Sequence, residues 1–240
     1  MKGYDNIAVN QGIVLDLPFR EASGLITHDI AKPHHIATLT GPPVWTDVHA
    51  EGIGPSDLGI LEISGAEYLQ VPGANSLDLD FTGDFSLAMW VYIKAAGAMT
   101  QMLMCRNGTD VSGWAMYFTP DAPAGHYLSL RTNQAGGHTD CFIAGIPPVT
   151  PMLLGFSRNS AGLSAIGYKD GLPQVTTITP GGILDPIASG AARKLLVGVQ
   201  DGEAMNFGNY FSWRPRAWPR ELSAEEWLGL VEEGKHWFGV

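Results

Sequence analysis

The sequence predicts an all-β fold, a two-sheet antiparallel sandwich closed by one short C-terminal helix. Three observations carry this expectation. Residues 85–94 alternate, with Phe85, Leu87, Met89, Val91 and Ile93 on one face and Ser86, Ala88, Trp90, Tyr92 and Lys94 on the other. That is the period of a strand with at least one face in a core. Further short apolar segments recur about every 8–15 residues with Gly, Pro or Asn between them, the spacing of a sandwich. No helix-period segment appears before residue 223.

The second face of 85–94 holds Trp90 and Tyr92, so it is not plainly solvent-facing. This suits a central strand with one face in the core and the other in a groove or under a partner.

Taken in order, residues 1–11 carry little apolar periodicity and read as an N-terminal arm. Tyr4, Ile7 and Val9 are its anchors, and the expectation is that they lie along a neighbouring subunit. Residues 12–240 read as one domain. A strand at 12–17 opens it, and 41–59, with its GPP and GIGPSD runs, reads as a surface loop whose Trp45 plugs the sandwich edge. Strands follow at 67–71 and 85–94, then at 100–106, which ends in the hairpin signal Asn107-Gly108. Others are expected at 114–119, 126–131, 138–144, 152–158, 163–168, 174–179, 194–199 and 207–218. Ser223 and Glu226 form a capping box for a helix over 223–233, with Leu222 and Trp227 as its staple and Gly234 as its stop.

Several of these stretches resemble a known family. Gly65-Ala-Glu-Tyr-Leu-Gln-Val-Pro72, Asn75-Ser-Leu-Asp78 and Gly83-Asp-Phe-Ser-Leu-Ala-Met-Trp-Val91 are similar to the central motifs of laminin-G-like, concanavalin A-like jelly-roll domains. Leu17-Pro-Phe-Arg-Glu-Ala-Ser-Gly24, Tyr168-Lys-Asp-Gly171 and Arg220-Glu-Leu-Ser-Ala-Glu-Glu226 resemble their opening, a hairpin and their closing helix. The resemblance runs from about residue 12 to 234. It implies the jelly-roll topology, with 12–17 beside 207–218. The opening, through His34-His35, also resembles single-domain versions encoded by tailed phages.

Charged residues make up only 16%, below the usual share of about 25%. The net charge of −10 argues against nucleic acid or an anionic membrane as partner. The N-terminus lacks the apolar run of a signal peptide, and no stretch approaches a membrane span. Cys105 and Cys141 read as small reduced hydrophobes pointing into the core, with a disulfide between them as the alternative.

Candidates for chemistry are few. A glycosidase needs two carboxylates across the scissile bond. Asp78, Asp80, Glu221, Glu225 and Glu226 are available, but they fall in a polar link and a helix opening rather than along a strand. No G-x-S-x-G run and no nucleotide loop occurs. Asp29, His34 and His35 suggest a metal, although adjacent histidines in extended chain point to opposite sides. Many members of the family hold calcium. By the family's pattern its acidic positions fall on Ser64 and Trp213, which leaves Asp84. One carboxylate is a poor calcium site, so no cofactor is expected.

The densest basic stretch is 213–220. Arg214, Arg216 and Trp218 share one face by alternation, with Trp213, Pro215 and Ala217 opposite. It reads either as a surface for an acidic or sugar partner, together with Trp90 and Tyr92, or as pairing with local acids such as Asp201 or Glu203. Trp114 and Tyr117 complete the stock of aromatics for a sugar site.

Together these features predict a non-enzymatic structural or interaction protein. By the phage resemblance it would be a capsid decoration or tail-associated virion component, assembled in host cytoplasm against other virion proteins or copies of itself. The alternative is a lectin-like carbohydrate-binding module.

Overall fold

The structure is a computed structural model and describes residues 4, 7–42, 44–94, 100–108, 111–121, 125–200 and 208–240. The strands in chain order are β1 (Leu15–Asp16), β2 (Ile26–His28), β3 (Ile36–Thr40), β4 (Val44–Asp47), β5 (Gly59–Ile63), β6 (Tyr68–Val71), β7 (Phe85–Ile93), β8 (Gln101–Gly108) and β9 (Ser112–Asp121). There follow β10 (Gly125–Gln134), β11 (Gly137–Ile146), β12 (Pro151–Asn159), β13 (Ser164–Lys169), β14 (Leu172–Pro173), β15 (Thr177–Ile178), β16 (Leu195–Val197) and β17 (Tyr210–Trp218). The one α-helix among the described residues, α1 (Ala224–Phe238), lies at the C-terminus.

The strands build two antiparallel sheets. The eight-stranded sheet runs β14-β13-β12-β7-β17-β5-β4, with β1 paired to β17 off that path. The nine-stranded sheet runs β15-β11-β10-β9-β8-β16-β6-β3-β2. Leu15 lies opposite Ala217, so the opening and closing segments are antiparallel neighbours, as the jelly-roll resemblance implies.

Strand β7 is central to the eight-stranded sheet, between β12 and β17. Its Phe85 faces inward and packs 6.1 Å from Trp114 of β9 in the opposite sheet. Its Trp90 faces outward and stacks on Phe238 of α1 at 4.7 Å. The second face of β7 is therefore covered by the chain's own helix rather than by a groove or partner.

Helix α1 begins as its residues dictate. Ser223 Oγ accepts from the Glu226 amide at 3.2 Å, and the Ser223 amide donates back to Glu226 Oε2 at 2.9 Å. The helix does not stop at Gly234 but continues to Phe238, with Gly239 in the left-handed conformation as its cap. Gly234 serves close approach instead, because a Cβ there would sit 2.6 Å from Trp90 Nε1.

The hairpin at 168–171 forms as expected. Asp170 (φ 50°) and Gly171 (φ 75°) both adopt the positive φ of a type I′ turn between β13 and β14. The 41–59 segment is not all loop, since it contains β4. There Trp45 packs edge-on to Phe19 at 5.9 Å and donates to the Gly24 carbonyl.

The N-terminal segment corrects an expectation. Its described residues pack on their own sandwich. Tyr4 donates to Asp16 Oδ2 at 2.6 Å, and Val9 is buried in the core. The Val9 carbonyl accepts from Trp218 Nε1 at 2.7 Å. Ile7 remains exposed.

Neither cysteine is in a disulfide, and both are buried. Cys141 lies in the main core, where burial pushes its thiol up to about 12. Cys105 instead belongs to a second apolar cluster with Tyr68, Met102, Ala115, Tyr117, Leu196 and Val199.

Candidate functional site

The residues predicted for a partner or glycan surface do not form one. Trp90, Arg214, Arg216 and Trp218 are all buried, and Tyr92 is half-buried beside Phe211. The cause is cover: α1 and the N-terminal segment lie over them, and a bulge between Trp213 and Arg216, with Arg214 at φ 54°, sets Trp213, Arg216 and Trp218 together beneath it. One extra residue shifts the alternation. Trp213 then lies opposite Trp90, Arg216 opposite Ala88, and Trp218 opposite Ser86, on the face that α1 and the N-terminal segment cover.

The arginines are paired there, but not with the acids expected. Arg214 forks onto Asp16 through Nε at 2.8 Å and Nη2 at 2.9 Å. Arg216 Nη2 donates to Glu233 of α1 at 2.8 Å. Asp201 and Glu203 lie outside the described residues. This ionic cluster staples β1, β17 and α1 together, and a bidentate guanidinium–carboxylate pair has the geometry to hold them in register.

The suggested metal residues do meet in part. His35 Nδ1 lies 2.6 Å from Asp29 Oδ2, and its Nε2 lies 2.9 Å from Asp78 Oδ1. Both ring nitrogens are thus taken by carboxylates. Burial would push this imidazole down, but the two hydrogen bonds and the two negative charges outweigh it and lift its pKa from 6.5 to about 9. A protonated imidazole offers no lone pair to a metal. His34 sits apart at φ 53°, its Nδ1 near the Asp29 carbonyl. Among the described residues no group of three or more His, Cys, Asp or Glu side chains is placed to hold an ion. Asp84, the carboxylate left at the family's calcium positions, accepts from the Ser160 amide.

Of the carboxylates weighed for glycoside cleavage, Asp80, Glu221 and Glu226 have structural partners too. Asp80 pairs with Arg106 at 2.7 Å and accepts from the Ser189 and Gly190 amides. Glu221 accepts from Asn159, and Glu226 from Arg220.

An open depression lies elsewhere, on the outer face of the nine-stranded sheet. Alternation along β10 turns Leu128 and Leu130 into the core and Tyr127, Ser129 and Arg131 outward. The register then sets their neighbours. Ser129 stands between Tyr117 on β9 and Phe142 on β11, and Arg131 between Ala115 and Asp140. A small residue flanked by two aromatics leaves a trough of about 420 Å³, lined also by Thr119, Tyr127 and Thr179.

Its polar centre is a fork. Arg131 Nε and Nη2 donate to the two Asp140 oxygens at 2.9 and 3.1 Å. Tyr117 Oη donates to Asp140 Oδ1 at 3.3 Å, and the guanidinium lies over the Tyr117 ring at 5.5 Å. Burial, and then the Asp140 charge, push the Tyr117 phenol above its ordinary pKa, so it stays a donor. Tyr127 meets Phe142 edge-on at 5.2 Å. Thr179 Oγ1 locks the Asp140 backbone, accepting from its amide at 3.0 Å and donating to its carbonyl at 3.1 Å.

Of the aromatics in the predicted stock, only Tyr117 reaches this trough. Trp114 is in the core, its Nε1 donating to the Leu79 carbonyl. Tyr127, Phe142, Arg131 and Asp140 were missed by sequence reasoning. Their signal was the alternation of β10 and β11, whose polar face carries rings and charges of both signs. Among its described lining residues Asp140 is the only carboxylate, one short of the pair that glycoside hydrolysis needs. The arrangement offers ring faces and a donor–acceptor fork, which are means of binding.

Two packed antiparallel sheets with one C-terminal helix define the class as a two-sheet β-sandwich. No protein-family model and no curated protein matches the sequence. Solved structures match over nearly the whole chain. One is botulinum neurotoxin type C, which depends on interaction with two ganglioside molecules to enter cells (TM-score 0.68, 12% identity, 95% of this chain and 52% of that one). Another is the binding domain of Paraclostridial Mosquitocidal Protein 1 (TM-score 0.69, 13% identity, 94% and 53%). A third is the binding domain of botulinum neurotoxin DC in complex with rat synaptotagmin II (TM-score 0.67, 12% identity, 94% and 52%). The chain spans about half the length of these solved chains, and at such identity the likeness is one of fold.

Proposed function

We propose that this chain is a non-enzymatic interaction module that holds carbohydrate in the trough between Tyr117 and Phe142. The observation that carries the reading is the Arg131–Asp140 fork set among aromatic rings in an open trough. Sugars present apolar C–H faces that pack on rings, and hydroxyls that both donate and accept. A half-buried guanidinium–carboxylate fork answers both polar roles. Among the solved neighbours, one interacts with gangliosides and one is bound to a protein, so the same fold serves binding elsewhere.

The test is a glycan array probed with the full chain and with Tyr127→Ala and Phe142→Ala variants, both rings being only partly buried. Binding by the wild type, with a loss of about tenfold or more in each variant at unchanged melting temperature, supports the reading. Absence of any glycan ligand, or variants that bind like wild type, overturns it.

A virion setting, as capsid decoration or tail-associated protein, remains a second reading. It is supported by the resemblance of residues 17–35 to the phage-encoded versions. Stoichiometric presence of the chain in purified particles is the observation that supports it, and particles lacking the chain overturn it.

A further inference from the structure

Beside the trough lies a second cavity of about 180 Å³, and the two share Tyr117, Thr119 and Arg131. Register fixes how they meet. Phe142 of β11 lies opposite Ser129 of β10, Ser129 opposite Tyr117 of β9, and Tyr117 opposite Met102 of β8. These residues form one row across four adjacent strands. The trough is built on the first three and the cavity on the last two, so the depressions are one groove that passes over β9.

The β8 side is open for a local reason. Ala115, the outward residue of β9 next to Tyr117, is small. Tyr117 reaches toward Asp140 on β11, its Oη 3.3 Å from Oδ1, and so leans away from β8. Met102 and Ala115 are left as an apolar floor, with half-buried Thr100, Thr119 and Gln200 around it and Asn107 farther along β8.

Length is what this geometry selects. Strands lie about 4.8 Å apart, so the three spacings from β11 to β8 give a groove about 14 Å long. A linked pyranose advances by roughly one strand spacing, so about three residues match that length. A single sugar would fill one depression and leave the other to water. We propose that the groove takes a linear oligosaccharide of about three residues, laid across the strands from β11 to β8, rather than one terminal sugar. The proposal rests on the carbohydrate reading of the trough and adds the length and direction of its ligand.

The experiment is titration calorimetry on the full chain with cello-, chito-, malto- and manno-oligosaccharides of one to five residues, together with truncations of any linear glycan bound on the array. In at least one series, affinity is expected to rise about tenfold or more from the monosaccharide to the trisaccharide. Thr100→Trp fills only the cavity side. It should bring the trisaccharide to within about twofold of the monosaccharide and leave the monosaccharide's affinity in place. Gln200→Trp, on the side of β16, repeats this test if the first variant melts early. Tyr127→Ala, on the trough side, should weaken every length. Equal affinity for the monosaccharide and trisaccharide in every series overturns the extended site and leaves the trough reading standing. A gain with length that survives the cavity-filling variant overturns the path over β8. Binding of no member of any series overturns both readings.

Discussion

Gly234 sets the distance between a helix and a sheet by what it lacks. A methyl there would meet the Trp90 indole at 2.6–2.8 Å, and the indole is held by Phe238 on its face. Overpacking of this kind costs about 1–3 kcal/mol, more than the roughly 1 kcal/mol by which alanine favours a helix over glycine. Gly234→Ala is therefore expected to lower the urea midpoint, and an unchanged or raised midpoint would contradict the packing account. His35 works at the same scale through charge. Its pKa stands near 9 in the fold against 6.5 outside it. Protonation thus stabilises the fold fully below pH 6.5, and this contribution fades as pH rises through about 9. The shift corresponds to a contribution on the order of 3 kcal/mol. Melting temperature should fall between pH 7 and 10 in the wild type and fall less steeply in His35→Gln. Parallel pH profiles for the two proteins would refute this role.

Among the elements, the two chain ends carry unusual weight. Strand β1 is only two residues long, yet Asp16 holds Arg214, accepts from Tyr4 and donates its amide to Asp29. The short 3-10 turn Ala8–Asn10 caps the outer face through Val9. Deleting residues 1–10 would expose an apolar site and leave the Trp218 N–H unpaired in the interior. These two losses sum to on the order of 3 kcal/mol, so the isolated domain should melt measurably lower. A deletion with an unchanged melting curve would return the segment to the status of a free arm. At the other end, Ser223→Ala removes the acceptor for the Glu226 amide. It should cost about 1 kcal/mol, read as a shift in denaturant midpoint at constant slope.

At the scale of the whole molecule the two sheets are treated differently. The eight-stranded sheet carries α1 and the N-terminal segment on its outer face, where Trp213 and Trp237 meet edge-on at 4.2 Å and Trp227 stacks on Tyr168 at 4.4 Å. The nine-stranded sheet leaves its trough uncovered. The chain's own termini thus bury much of one outer face, and the other carries the trough proposed for binding. Stability of this arrangement is not expected to need calcium, because Ser64 and Trp213 stand where the resembled laminin-G-like pattern has acidic residues. The melting temperature in excess chelator should stay within about 2 °C of that in added calcium, and a larger drop would reveal a bound ion.

The sequence by itself determined what short-range chemistry controls. Period-two alternation placed β7 and most long strands, the Ser223–Glu226 box placed the start of α1, and Asp170-Gly171 placed a hairpin. Each depends on residues within a few positions of one another. Strands β2, β3 and β4 escaped notice because they are short and lie near edges, where alternation has little length to declare itself. Only the tertiary structure decided which faces stay open. The single-residue bulge at Arg214 put Arg216 and Trp218 on the outer face of the eight-stranded sheet, where α1 and the N-terminal segment bury them, and neither the bulge nor that cover has a local signature in a run of Arg, Pro and Trp. The trough was illegible for a related reason. Tyr117, Ser129, Arg131, Asp140 and Phe142 come together through cross-strand register, and register is settled by packing between distant strands rather than by any one of them.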